Sequence, residues 1–236
     1  HYGIKLQWNA GEQLLRLFVM LTSAALLVLF IGHAVVLSSG FSDPWRLDSS
    51  LDEQLKVLQL VGFGGGEHLA FQAANNPNVG FIGAEPFING VAQALTHIHG
   101  DATKPGLPNI RIHHGDALDV LRRVPDNSLA FVYLLHPDPW PKARHAKRRM
   151  MNDGPVDLIA AKLKPGGEFR FGTDHPVYVA HAMMVMRRHR HQFAWAASSA
   201  DDFLGRPSGW SETRYEAKAR AQGHEVWYFR YKRLSG

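Results

Sequence analysis

The fold of this chain is indicated most clearly by residues 56–76, KVLQLVGFGGGEHLAFQAANN. The apolar run KVLQLVGF predicts a β-strand, and GEHLAFQAANN, which follows it, predicts an α-helix. A strand that turns through glycines into a helix is the first half of a βαβ unit. Glycines at Gly62, Gly64 and Gly66 permit a tight turn and let a ligand approach the backbone, so this loop is a candidate site for a nucleotide-like ligand.

The same alternation of strand and helix continues along the chain. Further strands are predicted at VGFIGAEP, NIRIHHGD, SLAFVYLLHPDP, EFRFGTD and HEVWYFRYKR, and helices at FINGVAQALTHIH, ALDVLRRV, GPVDLIAAKL and PVYVAHAMMVMRRHRH, with KPGG as a turn. This pattern predicts an α/β fold around a parallel sheet. In such sheets the ligand lies at the carboxyl ends of the strands, so the functional residues are expected there.

Composition narrows the class of protein. The chain has 236 residues, 45% of them hydrophobic, which is enough for a sizeable core, and Lys plus Arg exceed Asp plus Glu by only 26 to 21. It has no cysteine, which excludes disulfides, thiolate nucleophiles and cysteine metal sites and fits a cytoplasmic protein. The spacing of the histidines matches no zinc-site pattern, so we predict no metal.

The N-terminal 50 residues differ from the rest. Residues 17–37, LFVMLTSAALLVLFIGHAVVL, form a 21-residue apolar run, long enough to span a bilayer. A membrane tether is one interpretation, and a buried helix or a signal-like segment are the others; membrane insertion is not favoured, because the remainder reads as a soluble domain. The Ser-, Gly- and Asp-containing stretch at 38–51 predicts a linker, hence an N-terminal segment at 1–50 and a domain at 51–236.

Two acids follow the glycine loop. Glu85 ends the second predicted strand, where its carboxylate can accept hydrogen bonds from both hydroxyls of a ribose, as NAD and S-adenosylmethionine equally require. Asp116 ends the third strand and can accept from an adenine amino group, which favours S-adenosylmethionine. The alternatives are a solvated acid at Glu85 and a helix N-cap at Asp116.

The motifs together resemble a known family. GFGGGE, GFIGAEPF, HGDA, HPDPWPKARHAKRR, KPGGEFRFGTDHPVY and ETRYEAKARAQGH resemble, in this order, the motifs of the bacterial tRNA (guanine-N7)-methyltransferases over about residues 57–233. The resemblance implies a Rossmann-like class I methyltransferase domain at 51–236, with a mostly parallel seven-stranded sheet and helices on both faces. It also implies S-adenosylmethionine as donor and a guanine in the variable loop of tRNA as acceptor.

The chain departs from the family in two places. Relatives commonly carry a glutamate that contacts the donor in the strand before the glycines, and Leu60 stands at that position here. Relatives also begin with a short basic arm, where this chain has its apolar run.

Asp138 is the predicted catalytic residue. Guanine N7 has an in-plane lone pair, so it needs alignment with the methyl group rather than a general base. Methylation makes the purine positive, and a nearby carboxylate can stabilise that charge. Pro137 and Pro139 restrict the backbone on both sides of Asp138. In the family this aspartate also lies against the donor, so its role is both catalytic and donor-binding.

Cations are expected to hold the tRNA backbone. Lys142, Arg144, Arg148 and Arg149 follow the predicted active loop directly, together with His145 and Lys147. A second basic cluster at residues 187–190 is a phosphate site or an ordinary solvated face. Trp140 either stacks on a nucleotide or packs beneath the loop.

Two further groups complete the predicted substrate site. Asp174 ends the fifth strand, where it can accept from guanine N1–H and the exocyclic amine; the alternative is an N-cap of the following helix. The resemblance implies a substrate clamp in a loop after GRPSGWSE, formed by Thr213, Arg214, Tyr215 and Glu216.

Three functions remain open from sequence. The leading hypothesis is the RNA methyltransferase. A nicotinamide-dependent oxidoreductase shares the glycine loop but does not explain Asp116 or the basic run. An RNA-binding protein of the same fold with weakened donor binding is the third, because of Leu60.

Overall fold

The computed structural model describes residues 58–62, 64–100 and 105–235. The apolar run at 17–37 and the predicted boundary near residue 50 lie outside these ranges. Within them, every helix is too short or too polar to cross a bilayer.

Strands and helices alternate through the first five strands. The strands are β1 (Leu58–Gly62), β2 (Gly80–Glu85), β3 (Ile110–His114), β4 (Leu129–Leu135), β5 (Leu163–Thr173), β6 (Phe193–Trp195) and β7 (Trp227–Arg233). The α-helices are α1 (Glu67–Asn75), α2 (Ile88–Ile98), α3 (Ala117–Arg123), α4 (Asp153–Lys162), α5 (Pro176–Arg188), α6 (Asp201–Leu204) and α7 (Arg214–Ala221), and a 3₁₀ helix spans Ala143–Arg148.

The strands of the described residues pair into one sheet in the order β3-β2-β1-β4-β5-β7-β6. β1 to β5 pair in parallel, whereas β7 runs antiparallel to β5 and β6. This confirms the predicted α/β class. The chain moves outward from β1 in both directions, which creates a switch point between β1 and β4 where ligands of open α/β sheets bind. The glycine loop follows β1 and the HPDPW stretch follows β4, so both flank that point.

Apolar side chains of the sheet form the core. β2 lies between two strands and is buried along its whole length, as expected for a short apolar run at the centre of a parallel sheet. At the other end, Phe171 of β5 is fully buried and stacks on Phe229 of β7 with ring centroids 5.9 Å apart. Replacing such a phenylalanine by alanine costs about 3–5 kcal/mol of stability.

Parts of the fold differ from the sequence expectation. The predicted turn KPGG lies inside β5, where Leu129 of β4 pairs with Leu163 but Phe131 pairs with Glu168. Between these pairs β4 has one residue and β5 has four, and Gly166, at φ +79°, helps the extra residues of β5 to bulge. The short β6 and α6 were not predicted, because three- and four-residue elements have no measurable periodicity.

Candidate active site

The glycine loop is a tight turn that needs its glycines. Gly64 and Gly66 have φ of +53° and +88°, in the left-handed region that disfavours side chains. A Cβ at Gly66 would lie 2.6 Å from Cβ of Ala94 in α2, and one at Gly64 would lie 2.7 Å from the ring of Tyr215. These close approaches account for the glycine pattern, and they fix where α1 begins. Gly62 ends β1, next to Ala84 of β2.

Glu85 fastens this turn to β2. Its Oε2 accepts a hydrogen bond from the Gly64 N–H at 3.0 Å, and its Oε1 accepts from the Phe87 N–H at 3.0 Å. The residue is only 8% exposed, so it is not a solvated strand-end acid. Each carboxylate oxygen keeps a second acceptor position. A Cβ at Gly90 would lie 2.5 Å from the Gly64 carbonyl oxygen, so this helical glycine, which sequence reasoning missed, lets α2 approach the turn.

The end of β3 lies beside Glu85. The Gly115 N–H donates to the Glu85 carbonyl at 3.1 Å. Asp116 is the N-cap of α3, and its Oδ1 accepts from the Leu118 N–H at 2.9 Å. The N-cap alternative is therefore observed, and it leaves the second oxygen of this exposed carboxylate for a ligand.

The loop after β4 is strained on both sides of Asp138. His136 and Trp140 are non-glycine residues at φ +48° and +41°. Each costs about 1–2 kcal/mol in the left-handed region. The His136 N–H donates to the Gly172 carbonyl at 2.7 Å, which holds the first of them to β5. Asp138 lies exposed between two prolines, and stored backbone strain of this kind concentrates at functional sites.

Arg149 fixes the far end of the same loop. Its side chain is buried, with Nε donating to the Pro139 carbonyl at 2.9 Å and Nη2 to the Trp140 carbonyl at 2.8 Å. The guanidinium lies 5.8 Å from the ring centroid of Tyr178, a fully buried residue whose pKa burial raises to about 12. These contacts do not support the predicted phosphate role of Arg149. Sequence reasoning grouped it with its neighbours because charge alone does not reveal burial.

The other cations of the basic run face solvent. The guanidinium of Arg148 lies 4.9 Å from the ring centroid of the half-buried Trp140, so the tryptophan packs against the 3₁₀ helix. In the second cluster Arg188 pairs with Asp153 at 2.8 Å. The exposed cations of both clusters are Lys142, Arg144, Lys147, Arg148, Arg187, Arg188 and Arg190.

Asp174 does not cap α5. The His175 N–H instead donates to Oγ1 of Thr173 at 3.2 Å, and the cap residue His175 makes no side-chain cap. The Asp174 carboxylate lies between two histidines, with Oδ1 3.5 Å from Nδ1 of His136 and Oδ2 3.5 Å from Nδ1 of His224. Its side chain is one-third exposed and therefore accessible to a substrate.

The prediction that residues 213–216 lie in a loop is wrong. Thr213 is the N-cap of α7, and its Oγ1 accepts from the Glu216 N–H at 3.2 Å. This is the Thr-x-x-Glu capping pattern, a signal that was present in the sequence. Thr213 and Glu216 are buried, so the structure does not support them as direct substrate contacts.

Glu216 is the centre of a charged cluster. Its Oε1 accepts from Nε of Arg206 at 2.8 Å and from Nε of Arg220 at 3.1 Å. Burial acts to raise the carboxyl pKa, but hydrogen bonds from Tyr228, Arg206 and Arg220 together lower the pKa below its ordinary value. The cluster connects α7 to β7, through Tyr228, and to the loop between α6 and α7, through Arg206.

Arg214 and Tyr215 are the exposed members of this motif. Arg214 donates to Oε1 of Gln93 in α2 and to the Tyr215 hydroxyl. The Tyr215 ring lies against the glycine turn and stacks on His136, with centroids 6.4 Å apart and an angle of 19° between the rings. The start of α7 therefore joins the turn after β1 to the loop after β4.

These contacts gather the predicted residues at one edge of the sheet. A cavity of about 370 Å³ lies elsewhere, lined by the carboxyl end of α1, part of β4, Arg170 and the loop near Gly209, and contains none of them. In the part of the chain that the structure describes, no three His, Asp or Glu side chains form a metal-binding group.

Several solved structures of methyltransferases share this fold. The 16S rRNA methyltransferase KamB superposes with a TM-score of 0.58 at 14% identity, over 79% of this chain and 92% of KamB. The 16S rRNA (adenine(1408)-N(1))-methyltransferase from Catenulisporales acidiphilia gives a TM-score of 0.50 at 17% identity, over 82% and 93% of the two chains. At these identities the similarity concerns the fold alone.

Sequence relatives are much closer. The family described as "Putative methyltransferase" matches residues 54–229. The tRNA (guanine-N(7)-)-methyltransferase of Sphingopyxis alaskensis is 78% identical over 174 residues, 73% of each chain. The protein of that name from Zymomonas mobilis is 62% identical over 174 residues, 74% of this chain and 73% of the relative. This chain therefore belongs to the tRNA (guanine-N7)-methyltransferase family.

Proposed function

We propose that this chain transfers the methyl group of S-adenosylmethionine to N7 of a guanine in the variable loop of tRNA. Membership of the family supports the reaction. The observation that carries the proposal is the exposed Asp138, which lies in a strained loop after β4 at the switch point of the sheet. Tyr215 joins this loop to the glycine turn that Glu85 holds. We also propose that the sheet is the mostly parallel seven-stranded Rossmann-like sheet of class I methyltransferases, with helices on both faces; the strand order supports this.

The residues at the carboxyl ends of β1, β2 and β3 fit the donor. S-adenosylmethionine, when bound, supplies an electrophilic methyl group on a sulfonium. Gly64 and Gly66 carry no side chain and adopt positive φ, so the tight turn presents bare backbone that a ligand can approach closely. Glu85 keeps two acceptor positions for ribose hydroxyls, and Asp116 keeps one oxygen for an adenine amine. Gly62, which ends β1, and Asp138 complete the proposed donor-binding set.

The proposed role of Asp138 follows from its charge and its fixed position. The carboxylate stabilises positive charge that develops on the purine, and it does not remove a proton, because N7 carries none. The loop backbone around the carboxylate is restricted by Pro137 and Pro139 and by the contacts of His136 and Arg149 at its ends. The carboxylate therefore needs little rearrangement when the substrate binds. Asp174 is the proposed acceptor for guanine N1–H and the exocyclic amine, and its partial exposure supports this role.

The proposed tRNA surface consists of the exposed cations that flank this loop. Lys142, Arg144 and Arg148 extend from the 3₁₀ helix and its start, and Arg214 and Tyr215 lie across the site on α7. Cations in these positions neutralise phosphates and position the RNA without reading its sequence. Arg149, Thr213 and Glu216 support this surface from beneath it.

The two alternatives give different results in one assay. Purified protein is incubated with methyl-labelled S-adenosylmethionine and bulk tRNA, and the tRNA is digested to nucleosides. The proposal predicts label in 7-methylguanosine. Bound but unlabelled tRNA would favour the RNA-binding alternative, and turnover of a nicotinamide cofactor with unlabelled tRNA would favour the oxidoreductase. A tRNA substrate also agrees with the cytoplasmic location expected from the sequence.

A further inference from the structure

His136 is buried beside Asp174. Its side chain is only 6% exposed, whereas the Asp174 side chain is 33% exposed. The histidine therefore has little surface to offer a substrate, whereas the aspartate is accessible. Nδ1 of His136 points to Oδ1 of Asp174 at 3.5 Å, and this nitrogen has no hydrogen-bond partner among the described residues.

The His136 ring is held from several sides. Its backbone N–H donates to Gly172 of β5, and the ring stacks on Tyr215 of α7. The backbone adopts φ +48°, a conformation that a histidine occupies at a cost. Packing alone does not require this combination of a strained backbone, a stacked ring and an unpaired buried nitrogen that faces one carboxylate. It indicates that the ring has a role beyond filling space.

The electrostatic environment keeps this histidine neutral near pH 7. Burial lowers the His136 pKa, although the negative charges of the Asp174 and Glu216 carboxylates oppose that shift. A neutral imidazole can donate one N–H to a carboxylate without cancelling its charge. Asp174 would then keep its full negative charge for two guanine donors.

We propose that His136 is a positioning residue that donates from Nδ1 to Asp174 and so orients that carboxylate toward the guanine. The inference rests on the proposed function, in which Asp174 receives guanine N1–H and the exocyclic amine. The present 3.5 Å separation is longer than an ordinary hydrogen bond, and such contacts at active sites shorten when the substrate binds.

Three substitutions at His136 distinguish the effect of its Nδ1 donor from the effects of its strained backbone and of its ring stacking on Tyr215. His136→Asn keeps a donor near the position of Nδ1 and suits a left-handed backbone. His136→Gly also suits that backbone but has no donor, and His136→Phe keeps the ring and its stack on Tyr215 but has no donor. Each variant is first checked for cooperative thermal unfolding, so that a variant that fails to fold is recognised.

The kinetic expectation is a change in kcat rather than in KM. Misplacing a base contact by a fraction of an ångström slows His136→Gly and His136→Phe by about tenfold in kcat. KM for tRNA stays within about twofold, because phosphate contacts dominate affinity. His136→Asn retains most of the wild-type kcat. Full activity in both donor-free variants, or no rescue by asparagine, would overturn the proposal, and so would a rise in KM alone.

An NMR titration tests the contact without using activity. The His136 imidazole signal, assigned by its loss in His136→Asn, is followed against pH in the wild type and in Asp174→Asn. Because the carboxylate favours the protonated ring, the His136 pKa should fall further in Asp174→Asn; an unchanged pKa would overturn the contact. If the wild type methylates no tRNA but the pKa responds, the proposed function fails while the His136–Asp174 contact stands.

Discussion

Arg149 and Arg148 are adjacent arginines with opposite expected roles. Arg149→Ala removes the two donors that hold the Pro139 and Trp140 carbonyls, and it removes the guanidinium that packs over Tyr178. Hydrogen bonds from a charged group contribute about 1.5–3 kcal/mol each, so we expect the free energy of unfolding to fall by about 3 kcal/mol. For a domain of this size that lowers Tm by about 6–12 °C. Methyl transfer should fall by about 100-fold as the loop around Asp138 loosens.

Arg148→Ala is the matched control. Arg148 is exposed, and its guanidinium lies over the Trp140 ring without a side-chain hydrogen bond to another described residue, so its loss should change Tm by less than about 2 °C. If it binds a phosphate, the dependence of log affinity for tRNA on log salt should become shallower by about one unit. For Arg149→Ala, measured at a temperature where it is folded, the salt slope should be that of the wild type. An Arg149→Ala protein with unchanged Tm and a shallower salt slope would refute this account of the loop.

Three further predictions concern the donor turn, the catalytic carboxylate and the charged cluster. Gly64→Ala should weaken binding of S-adenosylmethionine at least tenfold by calorimetry, because the new Cβ would meet the Tyr215 ring at 2.7 Å. The control is Gly209→Ala: Gly209 has φ +79° and faces open space, so this substitution brings similar backbone strain but should leave donor binding unchanged. Asp138→Asn should abolish methyl transfer while tRNA affinity stays within about threefold, since phosphate contacts supply that affinity; equal loss of both would remove its catalytic role. Glu216→Gln should cost about 1–2 kcal/mol in denaturant unfolding at pH 7, because the partly exposed guanidinium groups of Arg206 and Arg220 lose their shared charged acceptor. The pKa of Glu216 in the folded protein lies below its ordinary value of 4.5, so the stability that its charge contributes is present above pH 4.5 and is lost as the pH falls through the folded pKa. The difference in free energy of unfolding between wild type and Glu216→Gln should therefore narrow below pH 4.5. A constant difference would contradict the role of the Glu216 charge in the cluster.

Much of the fold follows from local sequence patterns. A glycine turn between an apolar run and a helical pattern has few physical solutions, and carboxyl ends of parallel strands meet at one edge whatever the side chains are. For this reason the sequence correctly predicted the βαβ pattern and Glu85 at the end of β2, whereas Asp116 lies two residues beyond β3 as the N-cap of α3.

Tertiary burial was not predictable in the same way. Arg149 and Arg148 look alike in sequence, yet one points into the loop and the other to solvent. Glu216 pairs with Arg206 and Arg220, and the strain at His136 depends on a hydrogen bond to another strand. These properties arise from contacts between distant segments, which no local pattern of residues encodes.

The proposed methyl acceptor, N7 of a guanine in the variable loop, can be tested with one pair of tRNA substrates. Two otherwise identical tRNAs carry guanosine or 7-deazaguanosine, which lacks N7, at the proposed acceptor position in the variable loop. We expect one methyl group per guanosine tRNA, located on N7 by mass spectrometry, and none on the 7-deazaguanosine tRNA despite equal binding. Equal methylation of both tRNAs would contradict it.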